Sequence, residues 1–139
     1  MCSARKSATA LSDALIEELL RADEVLVASP IYNFGVPAAL KAWVDQVVRI
    51  GRTFSFADGK VDGLVKGKRA TILLSYGLPG YSDPAVLASF DFLKPYFGAL
   101  FGFLGFRDTR FVALEGTSAD PALLAHNLES AIGQAAAAA

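Results

Sequence analysis

The sequence predicts an α/β fold, in which a parallel sheet is covered by helices on both faces. Three observations carry that prediction. Amphipathic and short apolar segments follow one another as helix, strand, helix, strand, helix, strand, helix, and such alternation builds right-handed crossovers onto a parallel sheet. The first short segment, 25–28, is apolar throughout instead of at every second residue, as in a strand covered on both faces. The two loops richest in unusual residues both follow strands, where open α/β sheets bind their ligands.

The first helix is read from Leu11, Leu15, Ile16, Leu19 and Leu20, which recur at helical spacing with Asp13, Glu17, Glu18 and Arg21 between them. That pattern spans 10–22 and takes Thr9 or Ser12 as a cap, with 1–9 a flexible lead-in. Residues 25–28 form the first strand. Pro37 then opens a helix to about residue 50, with Leu40, Trp43, Val44, Val47 and Val48 inward and Gly51 as its stop. Around Thr53, Phe54, Ser55 and Phe56 the residues alternate, and Asp58-Gly59 and Asp62-Gly63 are turn signals, so 52–68 reads as an excursion or small hairpin. Residues 69–75 are the second strand, and 76–84, with Gly77, Pro79, Gly80 and Pro84, are a loop. A helix over 85–105, bent at Pro95, leads to a third strand at 109–114. Pro121 opens the last helix, which runs into the alanine tail.

A chain of 139 residues suits one domain, here 1–139, and 53% hydrophobic residues argue against disorder. Thirteen basic against fourteen acidic side chains give a net charge of -1. That excludes a broad basic field for nucleic acid or an anionic membrane, and leaves small molecules or protein surfaces as partners. The single cysteine, Cys2, fits a reducing cytoplasm and reads as a terminal bystander. No signal-peptide pattern opens the chain, and the apolar run 96–106 is far shorter than the ~20 residues of a spanning helix. The one histidine, His126, lies in the last helix, remote from Ser29 and Ser75, which argues against a hydrolytic triad. No spacing suits a metal, and neither GxGxxG nor a P-loop occurs.

The loop in SPIYNFGVPAALKAW is where chemistry concentrates. A loop between a strand and a helix exposes backbone N–H groups, and Gly35 lets it turn tightly. Two readings stand. In one, Tyr32 and Phe34 fill core gaps and Asn33 tolerates an unusual backbone angle. In the other, N–H donors meet the acceptor-rich edge of a planar heteroaromatic ring while Tyr32 and Phe34 cover its face.

SPIYNFGVPAALKAWVDQVVRIGRTFSF, then GLVKGKRATILLS, then FLGFRDTRFVALEG, resemble the FMN-dependent NADH-azoreductases and the related NAD(P)H quinone reductases. The match runs over about 11–129, and the strand-loop-helix P-x-Y-N-F-x-x-P is its specific motif. The resemblance implies a flavodoxin-like three-layer α/β/α fold. It implies that Pro30, Ile31, Tyr32, Asn33 and Phe34 line the flavin ring, with the N–H groups of Asn33 and Phe34 near its N5 and O4 edge. Ser75, Tyr76, Gly77 and Leu78 stand where the family commonly has Ser-Arg-Gly-Gly, so an arginine has become Tyr76 and a glycine Leu78. Phe54, Phe56 and Phe103 resemble the aromatic residues that close the substrate pocket, some of them across a dimer interface.

Only the third, fourth and fifth strands of the usual 2-1-3-4-5 order are recognisable, and the first β-α-β unit has no counterpart. That unit carries the loop for the FMN phosphate; Ser3, Arg5, Lys6, Ser7 and Thr9 precede a helix with no strand to position them. Strand 25–28 is then an open edge, to be covered by a second copy or by the start of a longer chain. The implied activity is hydride transfer from NAD(P)H through FMN to quinones or azo compounds in a ping-pong sequence, with Tyr76 or water as proton source. The alternative is a non-catalytic flavodoxin-like binding or assembly fragment that has lost FMN.

Overall fold

The computed structural model describes residues 3–138, with side chains over 9–137; Met1, Ala139 and the Cys2 reading lie outside. A three-stranded parallel sheet ordered β1-β4-β5 is built from β1 (Glu24–Pro30), β4 (Arg69–Ser75) and β5 (Asp108–Leu114). Between β1 and β4 the chain inserts an antiparallel hairpin of β2 (Phe54–Ala57) and β3 (Lys60–Gly63). Helices α1 (Ser3–Arg21), α2 (Ala38–Val47) and α3 (Leu93–Leu104) cover one face and α4 (Pro121–Ala138) the other. The sequence-predicted α/β architecture is what forms.

Alternate residues of β4 divide between the two faces. Ala70, Ile72 and Leu74 are fully buried and join Ile16 and Leu19 of α1, Val44 and Val47 of α2, and Phe97 and Phe101 of α3 in one core. On the other side Val112 of β5 and Ala131 of α4 are buried. Burying each large aliphatic or aromatic side chain contributes roughly 1.5–3 kcal/mol, so this core is the main source of stability.

Helix α1 begins at Ser3, ahead of the periodic stretch, because 3–9 holds good helix formers without an apolar stripe. Ser12 is therefore no cap. Its buried hydroxyl donates to the Gln46 carbonyl at 2.7 Å and accepts from Arg49 at 2.8 Å, joining α1 to α2. Arg49 and Arg52 both pair with Asp13, and the Arg49 guanidinium holds that carboxyl below its usual range. The contribution of this contact is present above the unfolded carboxylate value of about 3.9 and is lost as pH falls through the lower folded value.

Three further boundaries differ from expectation. Helix α2 stops at Val47 instead of 50, because the buried Thr53 hydroxyl donates to the Val47 carbonyl at 2.6 Å and accepts from the Arg49 N–H at 3.0 Å. Pro37 caps α2 rather than opening it. Residues 85–92 are not α-helix: the Asp83 carboxylate takes the Ala85 N–H, a single 3-10 turn forms at Ala88–Phe90, and α3 starts only at Leu93. Pro95 thus sits in the first turn of α3, where no N–H is needed, and bends nothing. The hairpin is as expected, with Asp58 (φ 52) and Gly59 (φ 72) both in the left-handed region of a type I′ turn.

One close approach fixes the hairpin against α3. A Cβ at Gly63 would lie 2.3 Å from backbone atoms of Leu104 and Gly105, while Val65 N–H donates to the Leu104 carbonyl at 2.9 Å. Gly63→Ala should lower the unfolding free energy by about 2–3 kcal/mol, as overpacking against fixed backbone does. Gly98→Ala, exposed on α3 with open space at its Cβ, should raise it by about 1 kcal/mol. Urea unfolding midpoints of the two variants are expected to move in opposite directions.

Candidate functional site

The strands run in step. Pro30 faces Ser75, and Ser75 faces Leu114, so the three carboxyl ends lie at one level. The pairing continues one residue into the loops, with Ile31 N–H donating to the Ser75 carbonyl and Tyr76 N–H to the Leu114 carbonyl, each at 2.9 Å. The loops after β1 and β4 therefore lie side by side.

After β1 the chain makes a two-residue hairpin. Tyr32 N–H donates to the Gly35 carbonyl at 3.1 Å, and Gly35 N–H to the Tyr32 carbonyl at 3.0 Å. Asn33 (φ 47) and Phe34 (φ 72) occupy the left-handed central positions of a type I′ turn. The sequence suggested that Gly35 would supply the tight geometry, yet the strained residues are Asn33 and Phe34. Asn tolerates this region; a phenylalanine there costs roughly 1 kcal/mol. Because the turn is closed by its outer residues, the N–H groups of Asn33 and Phe34 point away from it, and among the described residues neither meets an acceptor. Tyr32 and Phe34 are 62% and 51% exposed and so do not fill core gaps, while the unusual backbone angle expected of Asn33 is present. Pro30 and Ile31 are half-buried below them.

The second loop turns its first residue inward. Tyr76 is 2% exposed, stacks on Tyr81 at 4.6 Å, and donates its hydroxyl proton to Asp91 at 3.0 Å. Burial and then the Asp91 carboxylate push its pKa well above the usual tyrosine value. The geometry does not support Tyr76 as proton donor: its proton is committed inside the protein. Ser75 and Gly77 are half-buried at the loop base, and Leu78 is exposed at its rim.

Two carboxylates hold these loops. Glu115, just past β5, accepts from the N–H groups of Gly80 (2.6 Å), Tyr81 (3.1 Å) and Ser82 (2.7 Å) and from the Ser82 hydroxyl (2.6 Å). The 115–118 segment adds Thr117 N–H to the Tyr76 carbonyl and Ser118 N–H to the Gly77 carbonyl. Asp91 accepts not only Tyr76 but also the N–H groups of Leu93 (2.9 Å) and Lys94 (3.0 Å), tying the loop to the start of α3. From there Phe92 N–H reaches the Phe34 carbonyl at 3.2 Å, and the Phe90 ring lies 5.5 Å from that of Phe34. Sequence reasoning missed Glu115 and Phe90. Only the carboxylate following an apolar strand was a visible signal.

The other aromatic candidates are elsewhere. Phe54 and Phe103 pack together at 4.8 Å, and Phe56 is exposed on the hairpin. Phe103 is near the end of α3, whose rise of about 1.5 Å per residue puts it roughly 15 Å along the axis from Leu93. The structure does not bring Phe54, Phe56 and Phe103 to the turn of their own chain. A cavity of about 350 Å³ lies beside the strand ends under α4, lined by Pro30, Ser75, Leu114 and Ile132 among others. The larger one, about 430 Å³, runs along β1 between α1 and α2, away from the loops. Among the described residues no group of His, Cys, Asp and Glu suits a metal ion, and no helix is long and apolar enough to cross a membrane.

The chain belongs to the family of flavodoxin-like fold whose profile matches residues 2–138. It is 50% identical over 109 residues to an FMN-dependent NADH:quinone oxidoreductase of Acidobacterium capsulatum, a match covering 78% of this chain and 52% of that one. A second FMN-dependent NADH:quinone oxidoreductase, from Xanthobacter autotrophicus, is 50% identical over 105 residues, covering 76% and 50%. An azoreductase of Bacillus anthracis superposes with a TM-score of 0.86 at 25% identity, over 99% of this chain and 65% of that one. The chain spans about half the length of the two oxidoreductases.

The Glu115 carboxylate should govern the order of the second loop. In Glu115→Ala, amide exchange at Gly80, Tyr81 and Ser82 is expected to quicken by about tenfold to hundredfold while β4 stays protected, as follows from losing bonds to a charged acceptor.

Proposed function

We propose that this chain forms the ring-binding part of an FMN-dependent oxidoreductase that passes reducing equivalents from NAD(P)H to quinones or azo compounds. The observation that carries the reading is the pair of outward, unpartnered N–H groups of Asn33 and Phe34 on a strained turn. Strain of this kind persists where it aims groups at a ligand. These donors fit the N5 and O4 edge of a flavin, and Tyr32 and Phe34 fit its flat face. Relatives with half the residues identical are FMN-dependent by name, which supports the same assignment.

When bound, FMN would supply the redox chemistry, accepting a hydride from the nicotinamide and yielding it to the acceptor. The protein's share is electrostatic and positional. The Asn33 and Phe34 N–H dipoles favour the electron-rich state of the ring edge, since they are fixed before the reaction begins. Pro30, Ile31, Tyr32, Asn33 and Phe34 form one wall, and Ser75, Gly77 and Leu78 the other, with Tyr76 anchoring that wall from inside. With Tyr76 committed to Asp91, protons come from water. One pocket serves nicotinamide and acceptor in turn, which is a ping-pong sequence. A homodimer belongs to the same reading, since Phe103, too far along α3 for its own turn, and Phe54, packed on it from the hairpin, then serve the pocket of a second copy.

The test is FMN binding by flavin fluorescence quenching, followed by NADH-driven reduction of a quinone and an azo dye. Saturable one-to-one binding and parallel double-reciprocal plots are expected. No quenching at high micromolar FMN would sink the proposal in favour of a non-catalytic flavodoxin-like fragment. Phe34→Gly keeps both N–H groups and suits positive φ but lacks the ring, so FMN affinity should fall by about tenfold. Tyr76→Phe should leave kcat within about twofold, whereas a loss of ~100-fold would restore it as a proton donor.

A further inference from the structure

We propose that the cavity under α4 is a slot for the apolar tail of the acceptor, which makes quinones with an alkyl or prenyl side chain the substrate class. Naming the acceptor rests on the oxidoreductase reading above. The slot encloses about 350 Å³. At roughly 30 Å³ for each heavy atom, a water molecule's share of the liquid, it has room for about ten carbons.

Sheet register builds the floor of the slot. Ala70, Ile72 and Leu74 of β4 face the main core, so Leu73 and Ser75 face α4. Pairing sets Ala28, Leu73 and Val112 in one row and Pro30, Ser75 and Leu114 in the next. The second row is the level at which the two ring-binding loops leave the sheet. The first lies two residues down the strands, about 7 Å deeper. The other wall is α4, where Ala131 and Ala135 stand one turn apart against the sheet and leave space that leucines would fill. Ala28 and Ile132 are exposed, so the slot is open along its β1 side. A tail on a ring held by the loops therefore descends past Pro30 and Ser75 between the sheet and α4.

The lining selects hydrocarbon. Nine of the eleven lining residues are Ala, Val, Leu, Ile or Pro. The other two are Ser75, at the loop end, and Ser29, whose hydroxyl already donates to the Pro30 carbonyl at 3.0 Å. No charged side chain lines the slot, so an ionised phosphate placed there would lose its hydration without gaining a partner. The phosphate arm of FMN is thereby unsuited to it. An alkyl chain gains from leaving water in proportion to the area covered.

Naphthoquinones with a methyl, hexyl or decyl chain provide the probes. Their binding to the full chain without FMN is measured by equilibrium dialysis, below the concentration at which they aggregate, and FMN binding by fluorescence quenching. The proteins compared are the unsubstituted chain and Ala135→Phe, whose ring fills the slot. In the unsubstituted chain affinity is expected to rise about twofold per methylene, half the worth of full burial because one side is open. Ala135→Phe should cost the decyl quinone about tenfold or more and leave the methyl quinone and FMN within about twofold. With FMN and NADH supplied, it should raise KM for the decyl quinone by a similar factor and leave kcat and the KM for the methyl quinone unchanged. Affinity that does not rise with chain length overturns the proposal. So does a rise that Ala135→Phe leaves intact, which is adsorption elsewhere on the chain, and so does a dimer in sedimentation that Ala135→Phe dissociates, which gives the slot to a second copy. Should Ala135→Phe fail to fold, Ile132→Asp charges an exposed wall position: weakened decyl binding with methyl binding unchanged upholds the slot, and undiminished decyl binding overturns it. Slot-dependent tail binding in a chain that takes no FMN upholds the slot and sinks only the oxidoreductase reading. FMN binding with quinone affinity indifferent to the tail does the reverse.

Discussion

The equal termination of β1, β4 and β5 is the constraint on which the site depends. Parallel pairing in register puts Pro30, Ser75 and Leu114 at one level, and two further N–H to carbonyl bonds carry the alignment into the loops. Strand pairing is strictly periodic, so a slip of one residue would turn the buried Ala70, Ile72 and Leu74 outward. The same burial that stabilises the sheet thereby fixes the relative height of loops that share no sequence neighbourhood.

What the sheet sets coarsely, two carboxylates refine. Glu115 gathers three successive N–H groups of the loop after β4, and Asp91 joins that loop to α3 and, through Phe92, to the turn after β1. Negative side chains accepting backbone N–H groups are among the stronger hydrogen bonds a protein makes. Neither acid needs to touch a ligand for this. Each acts by limiting where Gly77, Leu78 and Phe34 can be.

The fold was legible because its signals are local. The second strand was bounded to the residue by its mostly apolar run, and the hairpin by alternation plus Asp58-Gly59. The motif loop was legible through the resemblance, and its exposed Tyr32 and Phe34 could be separated from core aromatics only by structure. Phe90 and Asp91 were hidden inside an apparent helix: Val86, Leu87 and Phe90 have helical spacing, and nothing in the sequence shows that Phe92 N–H will find Phe34, far back in the chain. Glu115 escaped for the same reason, its partners lying 33 to 35 residues away. Tyr76 was placed in the right loop with the wrong orientation, since sequence does not tell that Asp91 waits beneath it.

The left-handed Phe34 also bears on how such a chain would drift under selection. Glycine or asparagine at that position would sit in the turn more easily, and the nearby Gly35 is spent at a place with ordinary φ. Thermal selection alone, applied without any demand for activity, would therefore replace Phe34 early, because relief of strain is among the readiest gains in stability. Judged by the turn alone, a phenylalanine at φ 72 is therefore the costlier occupant of that position.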